Sequence, residues 1–248
     1  MLFALIAGGI TGSFLGLMGG GGSIIAVPAL VYILGLQTKA AIATSLLVVG
    51  LASLVALLEH FKRRSVVVSV AAPFGAAGAL GAIAGARIGQ SIPDHVQMLL
   101  LAILMCFVAI LMLKHRSERN TQGSARLSRG KAPALGAGFL SGVLTGVLGV
   151  GGGFIIVPIL SLLLNLPMLE AIGTSLLIIA INSLAGLLAY IHFLHLDVST
   201  ATFGVATVLF SALASLIARR IPQNQLKISF AMSLILLSVF MLLNRSLI

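Results

Sequence analysis

The sequence predicts an all-α fold: a polytopic membrane protein of two inverted repeats, each with a Gly-broken or re-entrant helix pair plus three transmembrane helices. Three observations lead to this prediction. Hydrophobic residues make up 59% of the 248 residues and charged residues 8%, which is too little polar surface for a soluble domain. Glycine-rich motifs recur at a fixed offset along the chain. Basic residues are distributed unequally between the loops that connect the apolar runs.

The composition also excludes several classes of protein. The hydrophobic runs are continuous, without the alternation of a porin strand, so helices are predicted rather than a β-barrel. The formal charge of +10 comes from 15 Lys and Arg, mostly in short loops, against 5 Asp and Glu. In such loops basic residues set membrane topology, so we predict the lipid bilayer as a partner and no nucleic acid. Since the lone Cys106 and the histidines have no metal-ligand spacing, the sequence predicts no metal, no cofactor and no enzyme.

The internal repeat keeps a constant spacing along the chain. The segment 16–28, GLMGGGGSIIAVP, returns at 146–158 as GVLGVGGGFIIVP. A Thr-Ser-Leu-Leu segment follows each copy at the same offset, beginning at Thr44 and at Thr174. The repeat predicts three parts of the chain: a first membrane repeat over 1–113, a basic cytoplasmic linker over 114–131 and a second membrane repeat over 132–248.

The first repeat opens with an apolar run over 1–18, which is interrupted at Gly19–Gly22. The next run, 24–36, carries Pro28 and would make about 20 Å of helix, less than the hydrocarbon core of about 30 Å. Two arrangements fit this length: a re-entrant pair that meets at the break, or two crossings of which one is short and tilted. We favour a break at membrane depth.

Three longer apolar segments complete each repeat. Gly81, Gly85 and Gly89 share one face of a helix in the first repeat, and such a ridge lets a neighbouring helix pack closely. The longer segments cover 40–58, 66–90 and 96–113 in the first repeat; the second repeat has apolar segments at 132–149, 154–166, 171–191, 198–218 and 225–243.

The basic residues predict the topology. With the linker in the cytoplasm and an odd number of crossings per repeat, 12 of the 15 Lys and Arg lie inside, and only Lys39, Arg87 and Arg245 lie outside. An odd count inverts the second repeat relative to the first and leaves both termini outside. We predict an integral protein of the bacterial inner (plasma) membrane. The oligomeric state stays open, with a homodimer as one option.

Inverted repeats bring equivalent elements together near the bilayer midplane, where the two glycine breaks would meet. A helix that starts after such a break offers unpaired N–H groups and a partial positive charge, which suit a small anionic substrate. Hydroxyl groups of the next helix and one amide would supplement them, whereas the alternative role for the glycines is close helix packing. The predicted substrate-binding residues are Gly19, Gly20, Gly21, Gly22, Ser23, Thr44, Ser45, Gly149, Gly151, Gly152, Gly153, Thr174, Ser175 and Asn182.

Acidic residues are few, and none lies deep in an apolar run, so a buried carboxylate array for ion coupling is not predicted. Glu59 and His60 are the best candidates for proton handling. The alternative is that they form a solvated pair at the membrane interface.

The two motif copies carry a resemblance to a known family. Gly-Leu-Met-Gly-Gly-Gly-Gly-Ser with Pro28 and Ala-Thr-Ser-Leu-Leu, and Gly-Val-Leu-Gly-Val-Gly-Gly-Gly with Pro158 and Gly-Thr-Ser-Leu-Leu, resemble the TauE/SafE family of membrane permeases. The likeness covers both repeats, the basic linker and the Ile-Pro turns at 92–93 and 221–222. The resemblance implies export of sulfite, of sulfonates such as sulfoacetate, or of related sulfur oxyanions.

Together, the residues and the resemblance predict a secondary membrane transporter. Its substrate would be a small sulfur oxyanion such as sulfite or an organosulfonate (sulfoacetate), exported by alternating access. An anion channel of the same fold and a permease for a different small anion stay open as alternatives.

Overall fold

The computed structural model describes residues 1–114, 131–150, 153–164, 166–218 and 223–243, and every secondary-structure element within these ranges is helical. The predicted all-α fold is therefore confirmed. The predicted linker lies almost wholly at 115–130, outside the described residues, so the division into two repeats and a linker stays a prediction. The helices are α1 (Leu2–Met18), α2 (Gly21–Pro28), α3 (Thr38–Lys62), α4 (Val68–Ser91), α5 (Asp94–Lys114), α6 (Lys131–Leu148), α7 (Gly153–Pro158), α8 (Met168–Tyr190), α9 (Val198–Ile217) and α10 (Gln223–Leu243).

Within the described ranges, five helices are long and apolar enough to cross a membrane: α3, α4, α5, α8 with the 3-10 turn that follows it, and α9. Their outward-facing side chains are large and apolar. Leu58 is 61% exposed, Phe107 58% and Leu188 67%. A bundle that presents such side chains all around is covered by lipid rather than by water. The chain is thus a polytopic integral membrane protein.

The short helices α2 and α7 each end at a proline and continue as a π-helical turn, Ala29–Ile33 and Ile159–Leu163. Proline has no N–H to donate, and its ring displaces the carbonyl group one turn earlier. The helix accommodates this by widening locally. Both repeats therefore deviate from regular α-helix at equivalent positions.

Glycines join the first helix of each repeat to the fourth helix of the other repeat. In α1, glycines at every fourth position face backbone carbonyl oxygens of α9 in ascending order, so the two helices run parallel. The equivalent glycines of α6 face carbonyl oxygens of α4 in the same way. The contacts are Gly8–Phe203, Gly12–Thr207 and Gly16–Ser211 and, at the equivalent positions of the other repeat, Gly138–Phe74, Gly142–Gly78 and Gly146–Ala82.

The glycine ridge predicted on α4 packs against α6. A Cβ atom on Gly81 would overlap the carbonyl oxygen of Phe139, and one on Gly85 would overlap that of Val143. The backbones approach each other this closely because neither glycine carries a side chain. The predicted packing role of this ridge is confirmed.

The relative directions of the other helices follow from their contacts. Gly50 lies beside Ser183 while Gly173 lies beside His60, so α3 and α8 cross antiparallel. In the same manner α9 runs parallel to α3 and α8 runs parallel to α4. The helices therefore form two bundles of opposite direction, α1–α3–α9 and α4–α6–α8, and each bundle contains helices of both repeats. How the repeats are oriented relative to a membrane stays a prediction.

Candidate functional site

The two glycine breaks have the same backbone conformation. Gly19 and Gly149 adopt φ angles of 68° and 67°, in the left-handed region that favours glycine. Their N–H groups donate to the carbonyl oxygens of Leu15 and Thr145 at 2.9 and 2.8 Å, which ends α1 and α6. After the first break the chain reverses, since Gly22 lies against Leu15, and α2 returns along α1.

The structure brings the two breaks into contact. A Cβ atom on Gly20 would overlap the backbone of Gly153, and one on Gly153 would meet the Cα atom of Gly20. Gly153 also lies against Ile179, the central residue of α8. The breaks therefore meet half-way along a membrane-spanning helix. We call this contact between Gly20 and Gly153 the glycine junction.

Two of the remaining predicted glycines, Gly21 and Gly22, follow Gly20 directly in the chain. Gly21 begins α2, and Gly22 packs on α1. Ser23 donates its hydroxyl group to the Gly20 carbonyl oxygen at 2.7 Å, which holds the first turn of α2. Gly151 and Gly152 lie outside the described residues.

In the first repeat, the predicted hydroxyl groups of α3 have no hydrogen-bond partner among the described residues. Thr44 and Ser45 are fully buried in α3, and neither hydroxyl oxygen has a hydrogen-bond partner in the described part of the chain. Buried hydroxyl groups are usually paired, because an unpaired one costs about 1–3 kcal/mol. A polar ligand that bonds to them would remove this cost.

In the second repeat, the equivalent hydroxyl groups have structural partners. Thr174 accepts a hydrogen bond from the Val67 N–H at 3.0 Å, which ties the α3–α4 loop to α8. Ser175 donates to the Ile172 carbonyl oxygen at 2.8 Å, and its oxygen lies 3.3 Å from that of the Gly19 carbonyl. The two Thr-Ser pairs therefore have different environments despite identical motifs.

Asn182 is fully buried one turn beyond Ile179, with its amide against Gly78. Within the described ranges, neither of its amide atoms has a hydrogen-bond partner, and the same holds for the hydroxyl groups of Ser53 and Ser183. These two serines are not among the predicted substrate-binding residues. Their equivalent positions in the two repeats were the signal that could have found them.

Glu59 and His60 lie close together in sequence but have different partners. Glu59 forms an ion pair with Arg63 at the end of α3. His60 is only 3% exposed, and its Nδ1 lies 2.9 Å from the Ser65 hydroxyl oxygen. The interpretation as a solvated pair is therefore wrong for His60, because Gly173 leaves room for the imidazole against α8. Their role in proton handling stays a prediction.

The α8–α9 loop differs from the α3–α4 loop at its end. Asp197, at the position equivalent to Val67, accepts the Thr200 N–H at 3.0 Å and donates its own N–H to the Thr200 hydroxyl oxygen at 2.9 Å. This capping box starts α9. Hydrogen bonds from the side chain and backbone of Thr200 also hold the pKa of the Asp197 carboxyl below its ordinary value.

Comparison with known proteins identifies the family. The model of the family described as Sulfite exporter TauE/SafE matches residues 4–241. The chain belongs to the TauE/SafE family. No solved structure matches it.

Relatives of this TauE/SafE chain carry transporter names. A "Probable membrane transporter protein" of Xylella fastidiosa is 32% identical over 245 residues, which is 96% of this chain and 93% of the relative. A "Probable membrane transporter protein" of Methanocaldococcus jannaschii is 26% identical over 96% of this chain and 94% of its own length. The "Probable membrane transporter protein YdhB" of Bacillus subtilis is 26% identical over 73% and 75%, respectively. The chain is therefore a membrane transporter.

Proposed function

We propose that this TauE/SafE protein is a secondary transporter that exports a small sulfur oxyanion, such as sulfite or the organosulfonate sulfoacetate, by alternating access. The observation that carries the proposal is the glycine junction, which lies half-way along α8, while α3 and α8 each carry buried polar groups that have no hydrogen-bond partner in the described residues. The family description supports the substrate class. In the topology that we propose, the basic linker is cytoplasmic and both termini are outside the bacterial inner membrane.

The anion would be held by neutral donors. The sequence has no charged residue at 40–58 in α3 or at 171–190 in α8. At the start of α2, after Gly20, backbone N–H groups carry the partial positive charge of a helix N-terminus. The Thr44 and Ser45 hydroxyl groups add donors from α3. A neutral site of this kind holds an anion without having to bury a lysine or arginine in the membrane.

Alternating access would move the pairs α1–α9 and α4–α6 against the crossed helices α3 and α8. The glycine contacts bind α1 to α9 and α6 to α4, so each of these two pairs, rather than either half of the sequence, is a rigid unit. The bundles run in opposite directions and meet at the α3–α8 crossing and at the glycine junction. Rocking about that contact would open the site to one side of the membrane at a time.

Transport by purified protein in proteoliposomes tests the proposal. We expect sulfite or sulfoacetate uptake that saturates with concentration and shows counterflow. The Ser45→Ala variant is expected to lower uptake on the order of tenfold, because a charged acceptor loses one donor. Ser238→Ala is the matched control, since Ser238 is also buried and donates within α10 to the Ile235 carbonyl oxygen. Single-channel currents would instead identify a pore, and wild-type uptake by Ser45→Ala would exclude this serine from the site.

A further inference from the structure

The Asn182 amide needs a hydrogen-bond donor for its Oδ1 atom, and a fully deprotonated anion cannot supply one. A fully deprotonated oxyanion only accepts hydrogen bonds, so it can pair with the Nδ2 group but not with Oδ1. Both amide atoms lack a partner in the part of the chain that the structure describes, so one open acceptor remains whichever way the amide is oriented. This buried acceptor needs a donor, which a ligand bound one turn from Ile179 would supply.

The surrounding charge limits the ligand further. The middle of α3 and of α8 contains only neutral side chains, so a second negative charge would be buried without a compensating cation. The hydroxyl groups of Thr44, Ser45 and Ser183 are fully buried and can donate to anion oxygens. Helices α3 and α8 thus carry several buried donors and one buried acceptor.

Building on the proposed function, we propose that Asn182 determines specificity. The site would select monoanions that carry their own hydrogen-bond donor, such as a hydroxyl group or a protonated oxygen, over dianions and over monoanions without a donor. Of the two substrates named above, singly protonated sulfite would therefore be preferred to sulfoacetate, which at neutral pH is a dianion without a donor. The donor group would bind to Asn182 Oδ1, and the anionic oxygens would bind to the hydroxyl and N–H groups.

Three small anions test this specificity by calorimetry with purified protein in detergent. The probes are 2-hydroxyethanesulfonate, which has a hydroxyl donor, ethanesulfonate, which has none, and sulfate, a dianion. We expect the wild type to bind 2-hydroxyethanesulfonate on the order of tenfold more tightly than ethanesulfonate, and sulfate most weakly. Asn182→Leu has similar volume and no acceptor, so it should reduce this tenfold preference to about one. Asn182→Ser keeps an acceptor and should retain part of the preference.

The outcomes separate this inference from the proposed function. Equal binding of the two sulfonates by the wild type, or an unchanged preference in Asn182→Leu, would overturn the role of Asn182 alone. If none of the three anions binds the wild type, the specificity proposal is overturned; the proposed function is judged separately, by sulfite and sulfoacetate uptake in proteoliposomes. The ligand series on the wild type decides the question even where Asn182→Leu fails to fold.

A second, independent observation concerns the loops. Val67 and Asp197 are equivalent residues, as are Thr174 and Thr44, yet only one of the two possible cross-repeat bonds is formed. The Val67 N–H binds Thr174, whereas the Asp197 N–H is held by Thr200. The hydroxyl group of Thr44 has no partner in the described ranges, although the 3-10 turn that starts the α8–α9 loop contacts α3.

We infer that these two bonds alternate during transport. In the conformation described, the Val67 N–H donates to the Thr174 hydroxyl oxygen and so ties the α3–α4 loop to α8. The Thr44 hydroxyl group has no partner in the described ranges. In the opposite conformation the Asp197 N–H would bind Thr44, and the Val67 N–H would leave Thr174. The capping box with Thr200 competes for the Asp197 N–H and so favours the conformation described here.

Thiol labelling tests the alternation. The reporter is Val67→Cys in a Cys106→Ser background, which retains the Val67 backbone N–H, treated in proteoliposomes with a membrane-impermeant maleimide. Thr200→Val frees the Asp197 N–H, and we expect labelling at position 67 to rise about fivefold. Adding Thr44→Val removes the acceptor and should cancel the rise. Thr202→Val is the control, because Thr202 is exposed on the same helix and donates to the Val198 carbonyl oxygen.

The labelling experiment tests whether the two loops are coupled. Unchanged labelling in Thr200→Val, or a rise that persists after Thr44→Val is added, would overturn the alternation. This readout does not depend on the identity of the substrate; it rests on the alternating access in the proposed function.

Discussion

Gly20→Ala is expected to reduce sulfite flux in proteoliposomes on the order of a hundredfold, while the protein still inserts into the membrane. The new Cβ atom would occupy the position of the Gly153 backbone. Since both partners are main chain, neither can turn away as a side chain would, and the two breaks must separate. A displacement of about 1 Å at a binding centre is enough to cause a loss of this size.

Gly136→Ala provides the matched control for this experiment. Gly136 lies in α6, and a Cβ atom there has nothing within 4 Å. Its flux should equal that of the wild type. Wild-type flux in Gly20→Ala would show that the glycine junction has no part in transport.

Gly142→Ala is expected to give the largest loss of stability. Its Cβ atom would overlap the carbonyl oxygen of Gly78, at the centre of the α4–α6 contact. Forced overlap in a packed interface costs about 1–3 kcal/mol, which corresponds to a decrease of roughly 3–10 °C in apparent Tm for a chain of this size. Thermal unfolding in detergent measures the change.

Gly50→Ala is the control for stability. Its Cβ atom would lie 3.4 Å from Leu184, an ordinary van der Waals contact at the α3–α8 crossing. We expect its Tm to match or exceed that of the wild type, because alanine favours helix over glycine by up to about 1 kcal/mol. Equal losses in both variants would mean that helix glycines matter here for a reason other than close packing.

The meeting of the two glycine breaks could be predicted from the sequence because the constant spacing of the repeat is visible in the motifs. The ridge on α4 could also be predicted, since Gly81, Gly85 and Gly89 share one helical face. The helix that packs against such a ridge could not be predicted from the sequence. Periodicity identifies the face of a helix that is packed, whereas the helix that packs on it is set by tertiary structure. The exchange of α1 and α6 between the halves therefore appears only in three dimensions.

The predicted site residues differ in their hydrogen-bond partners although their motifs are the same. Thr44 and Thr174 stand in identical Thr-Ser-Leu-Leu segments, yet their hydroxyl groups differ because the opposing loops differ. Asp197 and Thr200 form a capping box that Val67 and Val70 cannot form. That difference was present in the sequence as a capping signal, but its effect on a threonine in the other repeat depends on which loop faces which helix.

The parallel contact between α1 and α9 has a consequence for the synthesis and membrane insertion of the protein. Gly8 stands near the beginning of the chain, whereas Phe203, whose carbonyl group covers it, lies towards the end. Until α9 has been translated and inserted, the glycine face of α1 is exposed to lipid instead of packing against α9. The final arrangement can be reached only after the second half has been inserted, so the halves cannot mature one after the other as independent units.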